Sequence, residues 1–243
     1  MLQAREPEPQ EASGAARLRP LDAFPGSLAN RVYLSLKKAI LSIAYRPGEI
    51  LRKGEICEAL GVSRSPVSEA VARLAAEGLV DVVPQAGTFV ARFSMEEIRE
   101  GAFIREAIEL AAVERVAEII TDDQLTELRR NLRVQEALVA DGDTQGFYKL
   151  DAEMHGMILS FTGYRRLQQV SETAWLHVNR ARQLALPVPG RVAATLAEHR
   201  AIVEALEARD PKRARAATRA HLRQLITYVE PLERKRPDLF SPE

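Results

Sequence analysis

Cysteine occurs once in the 243 residues, at Cys57, so no internal disulfide can staple the fold. Cys57 sits inside an apolar helical pattern, where a small buried residue is the ordinary reading. No apolar run reaches the roughly 18–20 residues that cross a bilayer, and residues 1–26 lack the apolar centre of a signal peptide. The expectation is a soluble, cytoplasmic protein with no membrane partner. Net charge is absent as well, 34 Lys and Arg balancing 34 Asp and Glu. By itself that balance argues against a nucleic-acid binder, because phosphate is neutralised by basic side chains. The charge is unevenly spread, however: residues 27–93 carry nine Lys/Arg against six Asp/Glu, and residues 94–243 carry 22 against 24. The first segment is modestly basic, which permits DNA binding. With 46% hydrophobic residues the chain can bury one or two cores.

Residues 1–26 are rich in Pro, Glu, Gln, Ala and Arg without a sustained period and read as a flexible tail. Leu28, Val32, Leu36, Ile40 and Ile43 then form a helical stripe closed by Pro47-Gly48. A short second helix is expected from Lys53 to Leu60, ended by Gly61. A third follows, with Ser63 as N-cap, Pro66 in the first turn and Val67, Ala70, Val71 and Leu74 facing inward. Residues 79–83 and 88–93 read as a hairpin around Pro84 to Gly87. Three helices and a hairpin make a winged helix-turn-helix, assigned to residues 27–93. Beyond Ser94 no convincing strand and no repeat is present. Breaks at Thr121, Asp141-Gly142, Thr162-Gly163, Pro187 to Gly190 and Asp210-Pro211 mark six helices of an antiparallel bundle, near 96–119, 122–139, 143–161, 164–185, 190–208 and 211–229. The mainly α fold thus has a second domain at residues 94–231 and a tail at 232–243.

In a helix-turn-helix the third helix enters the major groove. Arg64, at its start, suits a bidentate contact to guanine, while Ser63, Ser65 and Ser68 reach phosphates or bases. Arg73 lies more than two turns along, positioned for the DNA backbone or for Glu69 or Glu77. The narrow wing turn Gln85-Ala86-Gly87 suits a minor groove, with Gln85 as its polar tip. Capped helices alone would be ordinary in any small helical domain. The residues carry more: Arg31-Val32-Tyr33 through Ala39-Ile40, Arg46-Pro47-Gly48, Ala59 through Val67, Glu69-Ala70 and Glu77 through Val80 closely resemble the GntR superfamily of bacterial regulators. The family usually has arginine at the position of Ser68 and often a basic residue at that of Ala86. Their loss implies a different operator, or binding that leans on dimerisation and on Arg52, Lys53, Lys37 and Lys38.

Histidine is scarce too, with four residues, so its placement is informative. Asp151 and His155, four apart on a predicted helix, project from one face about one turn apart. His199 lies 11 residues before Asp210 and His221 lies 11 after it, so an antiparallel pair places the two level. His177 fails the same test by roughly 7 Å along the axis and reads as a pocket-wall or ordinary helix residue.

Arg105 through Ala112, Asp151 through His155, Glu198 through Ile202, Ala205-Leu206 and Arg219 through Leu222 resemble the FCD effector domain of the FadR subfamily. Metal-bearing members use an aspartate and three histidines at these motif positions, which Asp151, His155, His199 and His221 match. Phe161 through Leu167 departs conservatively from the family's Ser-Gly-Asn-x-x-Leu. Three imidazoles and one carboxylate leave coordination positions open on the ion, for which zinc leads nickel, manganese and iron. Arg105 could clamp a carboxylate or pair with Glu109 or Glu106, and Trp175 and Arg182 share one edge of the fourth bundle helix. The resemblance implies a non-enzymatic homodimeric regulator, a repressor in the first instance, that binds operator DNA under control of a carboxylate metabolite. A metal sensor, a purely structural metal and a metal-dependent hydrolase are the alternatives. Against the last, Glu153 lies between two ligands and should face away from them.

Overall fold

A computed structural model describes residues 17–185 and 187–242, and it divides into two compact units, residues 1–92 and 93–243. In the first, α1 (Leu28–Leu41), α2 (Lys53–Leu60) and α3 (Arg64–Ala76) precede β1 (Val80–Val83) and β2 (Gly87–Val90). Helix α1 buries Val32, Leu36 and Ile40, and α3 buries Val67, Ala70, Val71 and Leu74, as their 3.6-residue period dictates, while Leu28 is exposed and Ile43 lies past the end of α1. Ser27 accepts a hydrogen bond from the Asn30 amide to cap α1, and Gly61, at φ +64°, closes α2 in the left-handed conformation. Ser63 occupies the N-cap position of α3, but its side chain makes no cap bond. The strands pair antiparallel from Val80 opposite Val90 to Val83 opposite Gly87, and Ile50 adds an edge bridge to Phe89 that the alternation did not show. Cys57 is half-buried.

The tail expected at residues 1–26 needs correction where it is described. Leu18 is buried, the Ser35 hydroxyl donates to the Arg19 carbonyl at 2.8 Å, and Leu21–Ala23 form a 3-10 turn. One apolar residue, a backbone anchor and the ion pair of Arg17 with Glu49 tie this segment down, and none of them leaves a periodic signature. Residues 1–16 lie outside the described residues.

The second unit has seven helices among its described residues where the breaks suggested six: α4 (Met95–Ile119), α5 (Asp122–Ala140), α6 (Thr144–Phe161), α7 (Arg165–Ala174), α8 (Leu176–Ala185), α9 (Arg191–Glu207) and α10 (Pro211–Lys235). Thr121 and Gln124 form a reciprocal capping box, while Asp143 and Asp210 cap α6 and α10 through the amides of Gly146 and Arg213. The helix expected over 164–185 is interrupted at Trp175. Helical bonds persist on either side, from the Trp175 amide to Ser171 and from the Asn179 amide to Trp175. The irregularity is therefore local to a buried indole, with no glycine or proline to announce it.

Helix α10 also continues through Pro231, at a cost of about 3 kcal/mol for an interior proline. Burial of Val229 and docking of the chain end offset that cost. Phe240 is buried against Phe93, ring centroids 5.6 Å apart, and the Phe93 backbone exchanges two hydrogen bonds with Leu239 and Ser241. Residues 232–242 are consequently part of the unit and not a tail. Its core is built from Val113, Val116, Leu128, Phe147, Met154, Ile202 and Leu206, among others. Each such fully buried side chain contributes roughly 1.5–3 kcal/mol of transfer free energy. Phe147 and Met154 bring this core directly under the candidate site, Phe147 lying parallel to the His199 ring at 6.2 Å.

Candidate metal centre and nucleic-acid interface

Asp151 and His155 on α6, His199 on α9 and His221 on α10 converge, with one ligand atom from each within 4.8 Å of all the others and all four side chains buried. The antiparallel register about Asp210 does bring His199 and His221 level, their rings 4.7 Å apart. His177 stands elsewhere, its Nδ1 3.4 Å from Glu97.

The partners on the outer side of each imidazole decide what the inner side presents. His155 Nδ1 donates to Glu109 at 2.6 Å, His221 Nδ1 to Glu198 at 2.7 Å and His199 Nδ1 to the Gln135 carbonyl oxygen at 2.8 Å. The last assignment is forced by a chain of bonds. Asn131 Nδ2 donates to the Leu150 carbonyl, so its oxygen accepts from Gln135 Nε2, which leaves Gln135 only its oxygen to offer His199. Burial lowers the proton affinity of all three imidazoles, and for His199 and His221 the neighbouring imidazoles and arginines lower it further. Burial opposes the ionisation of Glu109, yet Arg105 and His155 beside it hold its carboxyl far below the usual range.

With each Nδ1 donating outward, a neutral imidazole at each position presents its Nε2 lone pair inward. His155 Nε2 faces His221 Nε2 at 3.1 Å, and His199 Nε2 faces Asp151 Oδ1, also at 3.1 Å. Neither Asp151 Oδ1 nor His199 Nε2 has a hydrogen-bond partner. Four acceptor atoms facing one another in a buried space repel unless a cation stands among them. The donor set, neutral imidazoles with outer partners and one carboxylate, fits a divalent metal of the zinc type.

Beside this cluster lies a small cavity, lined by Arg105, Arg182, Arg191, Thr195 and the apolar Ala185, Leu222 and Leu225. Arg105 pairs with Glu109 at 2.5 Å but leaves Nη2 without a hydrogen-bond partner among the described residues, Arg182 lies against Asp151, and Arg191 grips Glu198 through two bonds. Burial, with Arg105 nearby, pushes the Arg182 pKa down to about 10. Trp175 is buried, with the Arg105 guanidinium carbon 5.1 Å from its ring centroid, rather than lining the cavity. Glu153 is exposed. The spacing arguments missed Gln135, Asn131, Glu198 and Arg191. Asn131 and Gln135 were visible only as polar residues four apart on the otherwise apolar stripe of α5.

In the first unit Ser63, Arg64, Ser65 and Ser68 are exposed over the first turns of α3, and Gln85 is exposed at the wing tip with φ +62°. Gly87 and Lys53 are half-buried, and Arg52 is paired with Glu55 at 3.3 Å. Arg73 touches neither Glu69 nor Glu77. Its guanidinium lies 3.7 Å from the Tyr33 ring centroid and donates to Asn30, a cation–π contact that ties α3 to α1.

A family profile described as bacterial regulatory proteins, gntR family, matches residues 28–90, and that of the FCD domain matches residues 100–224. An HTH-type transcriptional regulator of Streptomyces ambofaciens is 34% identical over 212 residues, 87% of this chain and 89% of that protein. The HTH-type transcriptional repressor RspR of Escherichia coli K12 is 30% identical over 88% of this chain and 93% of its own length. The solved structure of E. coli McbR/YncC shares the fold, with a TM-score of 0.73 at 24% identity over 85% of this chain and 99% of that one. Among the described residues no helix is long and apolar enough to cross a membrane. These are families of regulators and not of enzymes, and the chain belongs to the GntR family, a DNA-binding transcriptional regulator with a winged helix-turn-helix followed by an FCD domain.

Proposed function

We propose that the protein is a homodimeric repressor whose operator affinity is set by a small carboxylate bound at a zinc-type metal held by Asp151, His155, His199 and His221. The observation that carries this reading is the inward convergence of three imidazole lone pairs and one carboxylate beside a cavity lined by arginines. When bound, the metal supplies a Lewis-acidic position for a carboxylate oxygen. Arg105, with one guanidinium nitrogen unpartnered, orients that carboxylate. In the first unit Arg64 reads a base edge, Ser63, Ser65, Ser68, Arg52 and Lys53 hold phosphates, and Gln85 and Gly87 follow the minor groove. Arg73 acts by fixing α3 on α1. A winged helix-turn-helix reading a palindrome needs two copies, hence the dimer. The effector shifts the balance between operator-binding and released forms by as much as its affinities for the two differ.

The arginine-lined cavity favours this reading over one in which the metal itself is the signal, because a pure metal sensor has no use for it. The test is an operator titration of the metal-loaded protein, followed by screening small organic acids for thermal stabilisation. A carboxylate that raises the melting temperature and weakens operator binding supports the proposal. Chelation that alters neither thermal stability nor DNA binding refutes any role for a metal. Full metal content in both His199→Ala and His221→Ala would defeat the site itself.

A further inference from the structure

We infer that the effector is a dianionic organic acid, a short dicarboxylate whose second carboxylate is held by Arg182 and Arg191. The inference rests on the proposed metal–carboxylate site and comes from the charges enclosed with it. Three arginines line the cavity, and each already has one carboxylate: Arg105 has Glu109, Arg182 has Asp151, and Arg191 has Glu198. These six groups balance. A histidine that donates through Nδ1 and binds a metal through Nε2 carries no charge, so a divalent cation adds two positive charges to a cavity in which each of these carboxylates already has a cation.

A buried excess of two charges is unfavourable in a low-dielectric interior unless an anion enters with it. One carboxylate on the metal and Arg105 removes half of the excess. The remainder is met where Arg182 and Arg191 line the same cavity from α8 and α9, helices other than α4, which carries Arg105. Both guanidiniums are nearly inaccessible, at 9% and 6% side-chain exposure, so water screens them poorly. Ala185, Leu222 and Leu225 complete the lining and suit a carbon chain between two acidic ends. The cavity is small and lies between these side chains, which favours a short chain between the two carboxylates.

The test compares acids of matched carbon number on the full-length, zinc-loaded protein by calorimetric titration: succinate against butyrate, glutarate against valerate, adipate against hexanoate. In at least one pair the diacid should bind about 10- to 100-fold more tightly, the range for charge-assisted hydrogen bonds to a buried arginine. Arg191→Gln and Arg182→Gln should each narrow that ratio, with zinc content measured alongside. The wild-type comparison decides the matter even if a variant does not fold. Monoacids that bind in a zinc-dependent manner as tightly as their diacid partners would overturn this inference and leave the carboxylate reading standing. If no acid of either kind binds the zinc-loaded protein, both fall. A ratio in the wild type that neither arginine variant narrows would also overturn the assignment of the second carboxylate.

Discussion

Replacing Gln135 by leucine tests whether the bond chain through α5 sets the ligand state of His199. Gln135 is fully buried: its oxygen accepts from His199 Nδ1 at 2.8 Å, and its amide donates to Asn131 at 2.6 Å and more weakly to the Met154 sulfur at 3.8 Å. In Gln135→Leu without metal, the His199 proton can move to Nε2 and donate to Asp151 Oδ1, 3.1 Å away. The uncompensated loss is then chiefly the Asn131 oxygen, about 1–3 kcal/mol of folding stability. Metal binding must reverse that tautomer with no outer acceptor to stabilise it. Loss of such an outer partner weakens metal binding about 10- to 100-fold, or about 1.4–2.8 kcal/mol. Gln135→Glu restores the acceptor toward His199 but cannot donate to Asn131. It should lose similar folding stability yet bind metal more tightly than the leucine variant. The assays are zinc competition against a chromophoric chelator, and urea unfolding of the metal-free proteins. Wild-type zinc affinity in Gln135→Leu, or equal losses in the leucine and glutamate variants, would refute the tautomer argument.

Further outcomes follow from the same geometry. Arg64→Ala should leave the unfolding curve unchanged and cost about 1–3 kcal/mol of specific operator binding by fluorescence anisotropy, since Arg64 is an exposed residue at the start of α3. Tyr33→Leu removes the ring under Arg73 and the hydroxyl that bonds Glu77 at 2.5 Å and Lys37 at 2.8 Å, so it should lower stability and operator affinity together. Phe240→Ala deletes a ring buried against Phe93 and should cost about 3 kcal/mol or more of FCD-domain stability in urea unfolding, whereas a dispensable tail would show no change. His177→Ala, by contrast, should keep full zinc content by elemental analysis, because His177 faces Glu97 and not the cluster.

The parts of this molecule legible in its sequence are those governed by helical periodicity. Asp151 and His155 follow from a spacing of four, and His199 and His221 from equal distances to the turn at Asp210, because rise per residue converts sequence separation directly into height along a bundle. Periodicity says nothing where one side chain or a chain end decides the structure. The interruption at Trp175 has no glycine or proline beside it, and residues 17–24 and 237–241 are held by Leu18, Phe240 and a few backbone bonds. The outer partners of the histidines stand between these cases. Asn131 and Gln135 were readable as polar residues on an apolar stripe, a conflict that folding tolerates only where both are satisfied. Which groups satisfy them depends on how α5 packs against α6 and α9, and spacing along one helix cannot supply that. The candidate ligands are therefore readable in the sequence, while the groups that fix their tautomers require the fold.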